Sequence, residues 1–166
     1  MNRVFWFVGF GALLIAALVL IPVSTDWMPE LIATHFGPSG DANGFMPRSS
    51  YLALQLAMTV GLPVALVVLI SLAASGAAPL LSIPNRAHWF ALERRQASAA
   101  FMRGHALRLG CALVLFFGGL HGLLLLANQQ HPARLPLPAL LVLTAVFLLA
   151  VIAWVITLMR RFRSPG

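Results

Sequence analysis

The chain has 166 residues, 60% of them hydrophobic and 9% charged. A water-soluble domain surrounds itself with a surface that is about a quarter or more charged, and this composition cannot supply one. The formal charge is +7 and every basic residue is arginine. The arginines border apolar runs instead of lining one surface, which reads as membrane topology and not as nucleic-acid binding.

Four apolar runs set the expected fold class: an all-α, polytopic transmembrane four-helix bundle, with residues 1–166 as one membrane domain. Each run approaches or exceeds the roughly 20 residues that cross hydrocarbon. The first covers residues 4–23, after Arg3. Phe5, Trp6 and Phe7 fit an interfacial girdle, and Ile21-Pro22-Val23 is a poor cleavage site, so the run reads as an uncleaved helix. Gly9 and Gly11 permit close helix approach.

Residues 24–50 form the longest polar interruption in the first half and are expected to make an ordered outer cap loop. Asp26 is placed to cap a short helix from Trp27 to Phe36, with Pro29 in its first turn. Met28, Leu31, Ile32 and His35 recur at helical spacing, which puts His35 on one face with Leu31 and Ile32. Gly37 to Gly40 ends this piece, and Asp41-Ala42-Asn43-Gly44 reads as a tight turn.

The second helix is expected over 51–72, with Arg48 at its entrance, Gln55 inside it and a kink at Pro63. Residues 79–104 are a basic loop containing Arg86, Arg94, Arg95 and Arg103. Within it Pro84-Asn85 suggests a turn, and Ala87 to Phe101 a short amphipathic helix with Trp89 at headgroup level. The third helix covers 107–126, with His105 near its inner end and His121 in its outer half. Gly118, Gly119 and Gly122 offer a flat face to a neighbour. The single Cys111 sits in this run, which leaves no intrachain disulfide and no multi-cysteine metal site. The fourth helix covers 136–158 and stops at Arg160, Arg161 and Arg163. Arg3, the basic loop and this tail agree on one side, so both termini are expected in the cytoplasm.

The cap carries Pro29, then His35-Phe36, then a glycine-bearing turn at Gly40, Asp41, Asn43 and Gly44, all after a first transmembrane helix. This pattern resembles proteins with the domain of unknown function 1648, among them relatives of the SdpI-type immunity membrane proteins. The segment Pro84 to Phe90 also resembles a proline-asparagine and aromatic-tryptophan segment of that family, with His88 where an aromatic residue is expected before Trp89. The resemblance implies a small bacterial inner-membrane protein without a settled activity. The immunity relatives protect against a secreted toxin and help relay a signal to a repressor, and they usually have further transmembrane segments.

Three groups of residues are candidates. In the cap, His35 can organise the loop, recognise a ligand or peptide, or help hold a divalent cation with Asp41; no cofactor is otherwise expected. The basic loop offers Pro84, Asn85, Arg86, His88, Trp89, Glu93 and Arg94, as an interfacial helix or as a surface for a partner or anionic lipid. Gln55, His105 and His121 are the polar handles within the helices, for hydrogen bonds between helices or for proton sensing.

The chain has no nucleophile elbow, phosphate loop or paired-histidine zinc motif. An enzyme is therefore not expected, although Asp26, His35, Asp41 and His121 can share the outer side. The expected class is an interaction or sensory accessory protein. The alternatives are a transporter-like or toxin-immunity protein and a membrane enzyme with an outer-face site. Expected partners are the lipid bilayer and another membrane protein, a peptide or a second copy of the chain.

Overall fold

The computed structural model describes residues 3–75 and 85–163. The first apolar run is helix α1 (Arg3–Thr25). Its 23 residues give about 35 Å at 1.5 Å per residue, enough to cross a bilayer core. At its end the hydroxyls of Ser24 and Thr25 fold back onto the carbonyls of Leu20 and Ile21, at 2.6 and 2.7 Å.

The cap is a β-hairpin, not the expected short helix. Strand β1 (Leu31–Phe36) pairs antiparallel with β2 (Ala42–Pro47), in the register Leu31↔Pro47, Ala33↔Phe45 and His35↔Gly44. The apolar spacing from Met28 to His35 fits a helix, but eight residues are too few for periodicity to decide between helix and strand. Pairing with β2 and with the bundle decides instead. The expected turn at 41–44 is also displaced: the reversal is at Gly37 to Gly40, closed by Gly40 N–H to the Gly37 carbonyl at 2.9 Å and Gly37 N–H to the Asp41 carbonyl at 2.9 Å.

The second span combines α2 (Arg48–Leu56), a π-helical turn (Ala57–Gly61) and α3 (Leu62–Ser75). Pro63 explains the irregularity. Its ring would collide with the carbonyl four residues back, and the widened turn comes just before it. There Leu62 N–H reaches five residues back to the Ala57 carbonyl.

After the one-turn α4 (Arg86–Trp89), the third span belongs to α5 (Leu92–Asn128). The expected helix of 107–126 is therefore only the C-terminal part of a longer one. No proline lies between Leu92 and Asn128 to break it, and each of its five glycines costs only about 1 kcal/mol. Its 37 residues extend about 55 Å, well beyond the roughly 30 Å hydrocarbon core. The last helix is α6 (Leu137–Arg161), with Pro138 in its first turn.

Helix α5 is the hub, packing against α1, α3, α6 and β1. Phe10, Ala17 and Ile21 of α1 meet Leu107, Cys111 and Val114 of α5 in the middle of the bundle. Gly110 makes this possible: a Cβ there would lie 2.7 Å from the Phe10 ring and 2.8 Å from Val67. The glycines expected to mediate approach are mostly not used. Gly9, Gly11, Gly118 and Gly122 face open space, and only Gly119 meets a neighbour, Leu143 of α6. Helix α6 buries none of its residues; Leu141, Val142, Leu149 and Ile152 stand outward, as lipid-facing side chains do.

Candidate functional site

The hairpin is fastened to one end of the bundle, and the side chain of Asn128 is its main tie. Asn128, the last residue of α5, meets both main-chain groups of Ala33. Its Oδ1 accepts the Ala33 N–H at 2.8 Å and its Nδ2 donates to the Ala33 carbonyl at 3.0 Å and to the Leu124 carbonyl at 2.9 Å. The amide thus stands where a third strand would pair. Ala33 and Ile32 are fully buried, packed with Met28, Tyr51, Leu124, Ala127 and Leu135.

The far end of the hairpin is tied to the segment before α6. Leu135 N–H donates to the Gly40 carbonyl at 2.8 Å and Ala42 N–H to the Ala133 carbonyl at 3.3 Å. Gly40 has φ of 86°, and a Cβ there would lie 2.7 Å from the Leu135 carbonyl oxygen, so both backbone and space require glycine. The Asp41–Arg134 pair at 3.5 Å adds little, because both side chains are exposed and such pairs contribute about 0–1 kcal/mol.

Under the hairpin lies a buried chain of hydrogen bonds centred on His121. Its Nε2 is 2.7 Å from Ser24 Oγ and its Nδ1 is 2.7 Å from Tyr51 Oη. The directions follow from chemistry. A carbonyl only accepts, so Ser24 gives its proton to Leu20 and accepts from His121 Nε2–H. Nδ1 then accepts from the Tyr51 hydroxyl. A neutral imidazole satisfies every partner. Ser24 is consequently a poor nucleophile, since the imidazole donates to it and takes no proton from it. One turn deeper, Gln55 Nε2 donates to Thr59 Oγ1 at 2.9 Å and to the Phe117 carbonyl at 2.8 Å. These bonds join α1, α2 and α5.

His35 is on the exposed face of the strand, apart from the buried Ile32 with which helical spacing groups it. Its Nδ1 is 3.1 Å from Thr34 Oγ1, and its ring lies against Gly44, where a Cβ would approach His35 Cβ to 2.9 Å. Pro29 offers its carbonyl to Arg48 Nε at 3.4 Å. Phe36 is packed at the edge of the buried cluster. Asn43 is exposed. Asp41 accepts from Ser39 Oγ at 2.7 Å. Among the described residues, no three His, Cys, Asp or Glu side chains come together as a metal site needs.

The basic motif is at the opposite end. Pro84 lies outside the described residues. Asn85 takes a left-handed φ of 53° and its carbonyl accepts from His88 and Trp89 N–H, starting α4. Arg161 lies 4.7 Å over the Trp89 ring, and Trp89 and Phe90 pack on the buried Phe162. Arg94 Nη1 is 3.3 Å from His88 Nδ1, and Glu93 is exposed in the first turn of α5. Arg86 opens α4. His105 is buried on α5. Its Nε2 donates to the Trp154 carbonyl at 2.9 Å while Trp154 Nε1 donates back to the His105 carbonyl at 2.9 Å.

Gln55, His105 and His121 therefore each join α5 to another helix. Sequence reasoning missed Asn128, Tyr51, Ser24 and Trp154. The signals were slight: the single tyrosine of the chain, and an asparagine ending an apolar run.

Four helices, each long and apolar enough to cross a membrane, define a multi-pass membrane protein with a hairpin cap. Residues 12–59 match the family model described as Domain of unknown function (DUF1648). The matched stretch runs from α1 through the hairpin to the π-helical turn, so it holds Ser24, Tyr51, Gln55 and Thr59 but not their partners on α5. Comparison with curated proteins and with solved structures gives no match.

Proposed function

We propose that the chain is an interaction or sensory accessory protein of the bacterial inner membrane, with the hairpin outside, both termini in the cytoplasm and the hairpin as its recognition surface. The observation that carries this reading is the contrast between the two faces of the hairpin. One face is fixed: Ile32 and its cross-strand partner Met46 pack into the bundle, and Asn128 holds the main chain at Ala33. The other presents Leu31 and Phe45, each more than 60% exposed, beside His35 and Asn43. A preorganised apolar surface with polar neighbours loses little entropy on binding. Because Asn128 ends α5, a load on the hairpin bears directly on the helix that reaches the arginine-rich end. Immunity-type recognition of a secreted peptide is one form of this role.

The apolar layer of Phe10, Ile21, Leu107 and Val114 lies between the His121 and His105 clusters, which favours interaction over transport. The direction of the Ser24–His121 bond favours it over hydrolysis. The test is a photoreactive phenylalanine analogue at Phe45 in intact cells. A discrete adduct from Phe45, with none from Leu149 on α6, supports the proposal. Equal adducts from both positions, or none from Phe45, contradict it.

A further inference from the structure

We infer that the groove between α1 and α6, floored by α5, is a binding site for an anionic phospholipid with a hydroxyl-bearing headgroup. Helices α1 and α6 both lie against α5 and leave a cavity of about 350 Å³ between them. Its walls are apolar along Ala112, Leu115, Ala150 and Val151, and Trp6, His105 and Arg108 line it as well.

The polar residues distinguish this groove from ordinary lipid-facing surface. Trp6 Nε1, Arg108 Nε and His105 Nδ1 are all buried without a hydrogen-bond partner. His105 is 1% exposed. Buried polar atoms without partners are costly, more so when charged, so two donors and one ring nitrogen around one cavity call for a ligand. Their chemistry specifies it. Arg108 and Trp6 are donors, and the guanidinium is held 5.6 Å over the Trp6 ring; together they suit a phosphate. His105 Nε2 carries its proton to the Trp154 carbonyl, which leaves Nδ1 as an acceptor. An anion would not approach that lone pair, whereas a headgroup hydroxyl would donate to it. The apolar walls then take an acyl chain. The leaflet follows from the orientation proposed above, but the recognition chemistry does not depend on it.

The test is lipid binding to the full chain in detergent, read by native mass spectrometry. Phosphatidylglycerol should bind at least about tenfold more tightly than phosphatidylcholine of the same chains, about 1.4 kcal/mol or more. Arg108→Gln should remove most of that preference and Trp6→Phe part of it, while Arg163→Gln, at an exposed arginine outside the groove, should change nothing. Ala150→Phe fills the groove without touching the headgroup donors. It should abolish the preference while leaving the melting temperature in lipid-free detergent unchanged, which separates loss of the site from loss of the fold. Inorganic phosphate at the same concentration should bind undetectably. Equal binding of the two lipids, an undiminished preference in Arg108→Gln or Ala150→Phe, or phosphate binding as tightly as the lipid would overturn the inference.

Discussion

Asn128 replaces a missing strand: through one side-chain amide it satisfies both the N–H and the carbonyl of Ala33, 95 residues earlier in the chain. A two-stranded hairpin alone is only marginally stable in water. Here one edge is closed by α5 and the tip by Leu135, so the hairpin is ordered as part of the bundle.

The clasp centred on His121 should be structural. Tyr51→Phe leaves Nδ1 buried without a donor, and His121→Ala removes both bonds. Hydrogen bonds between membrane helices average about 0.6 kcal/mol and reach about 1.7. The expected loss is about 0.5–2 kcal/mol for Tyr51→Phe and more for His121→Ala, with Ser24→Ala smallest because its site is only partly buried. Chemical unfolding in mixed micelles measures this order. A serine-directed fluorophosphonate should not label Ser24; labelling would revive the enzyme reading.

Gly40 should resist substitution more than any other glycine of the cap. Gly40→Ala imposes a left-handed φ on a residue with a side chain, at about 1–2 kcal/mol. It also drives a Cβ to 2.7 Å from the Leu135 oxygen. Limited proteolysis should cut the variant within 37–42 and leave the parent intact.

His35→Ala should leave unfolding within about 0.5 kcal/mol of the parent, because the ring is exposed and bonded only to Thr34. A recognition role predicts instead that crosslinking from Phe45 weakens. Unfolding that shifts by 2 kcal/mol or more would make the histidine structural.

The proposed orientation predicts opposite sides for a reporter inserted at Ser39 and one fused after Gly166. Ser39 is chosen because it is exposed at the hairpin turn, away from the His35–Gly44 contact. Both reporters on one side would remove the basis for an outer cap.

The membrane spans were legible because each is a long apolar run whose ends are punctuated by charge or proline. The N-terminal extension of α5 was not, since Arg94, Arg95 and Arg103 read as loop composition although each is compatible with helix. The hairpin was hidden because Leu31–Phe36 satisfies a helical spacing, and its strand state depends on β2 and on Asn128. Gln55, His105 and His121 could be picked out as polar residues in apolar surroundings. Their partners could not: Ser24 lies 97 residues from His121, Tyr51 lies 70, and Trp154 lies 49 from His105. The proline effect at Pro63 was legible in position, while its form as a widened turn over Ala57–Gly61 was not.

Hydrogen–deuterium exchange of residues 31–47 in lipid nanodiscs tests the coupling of cap to bundle most directly. Asn128→Leu keeps the side-chain size but removes the bonds to Ala33, at a cost of about 1–3 kcal/mol. The account predicts slow exchange at Ile32 and Ala33 in the parent. It predicts exchange roughly ten- to a hundredfold faster across the hairpin in the variant, with the amides of α1 and α6 unchanged. Rapid exchange of these amides in the parent, or protection that survives in Asn128→Leu, would contradict it.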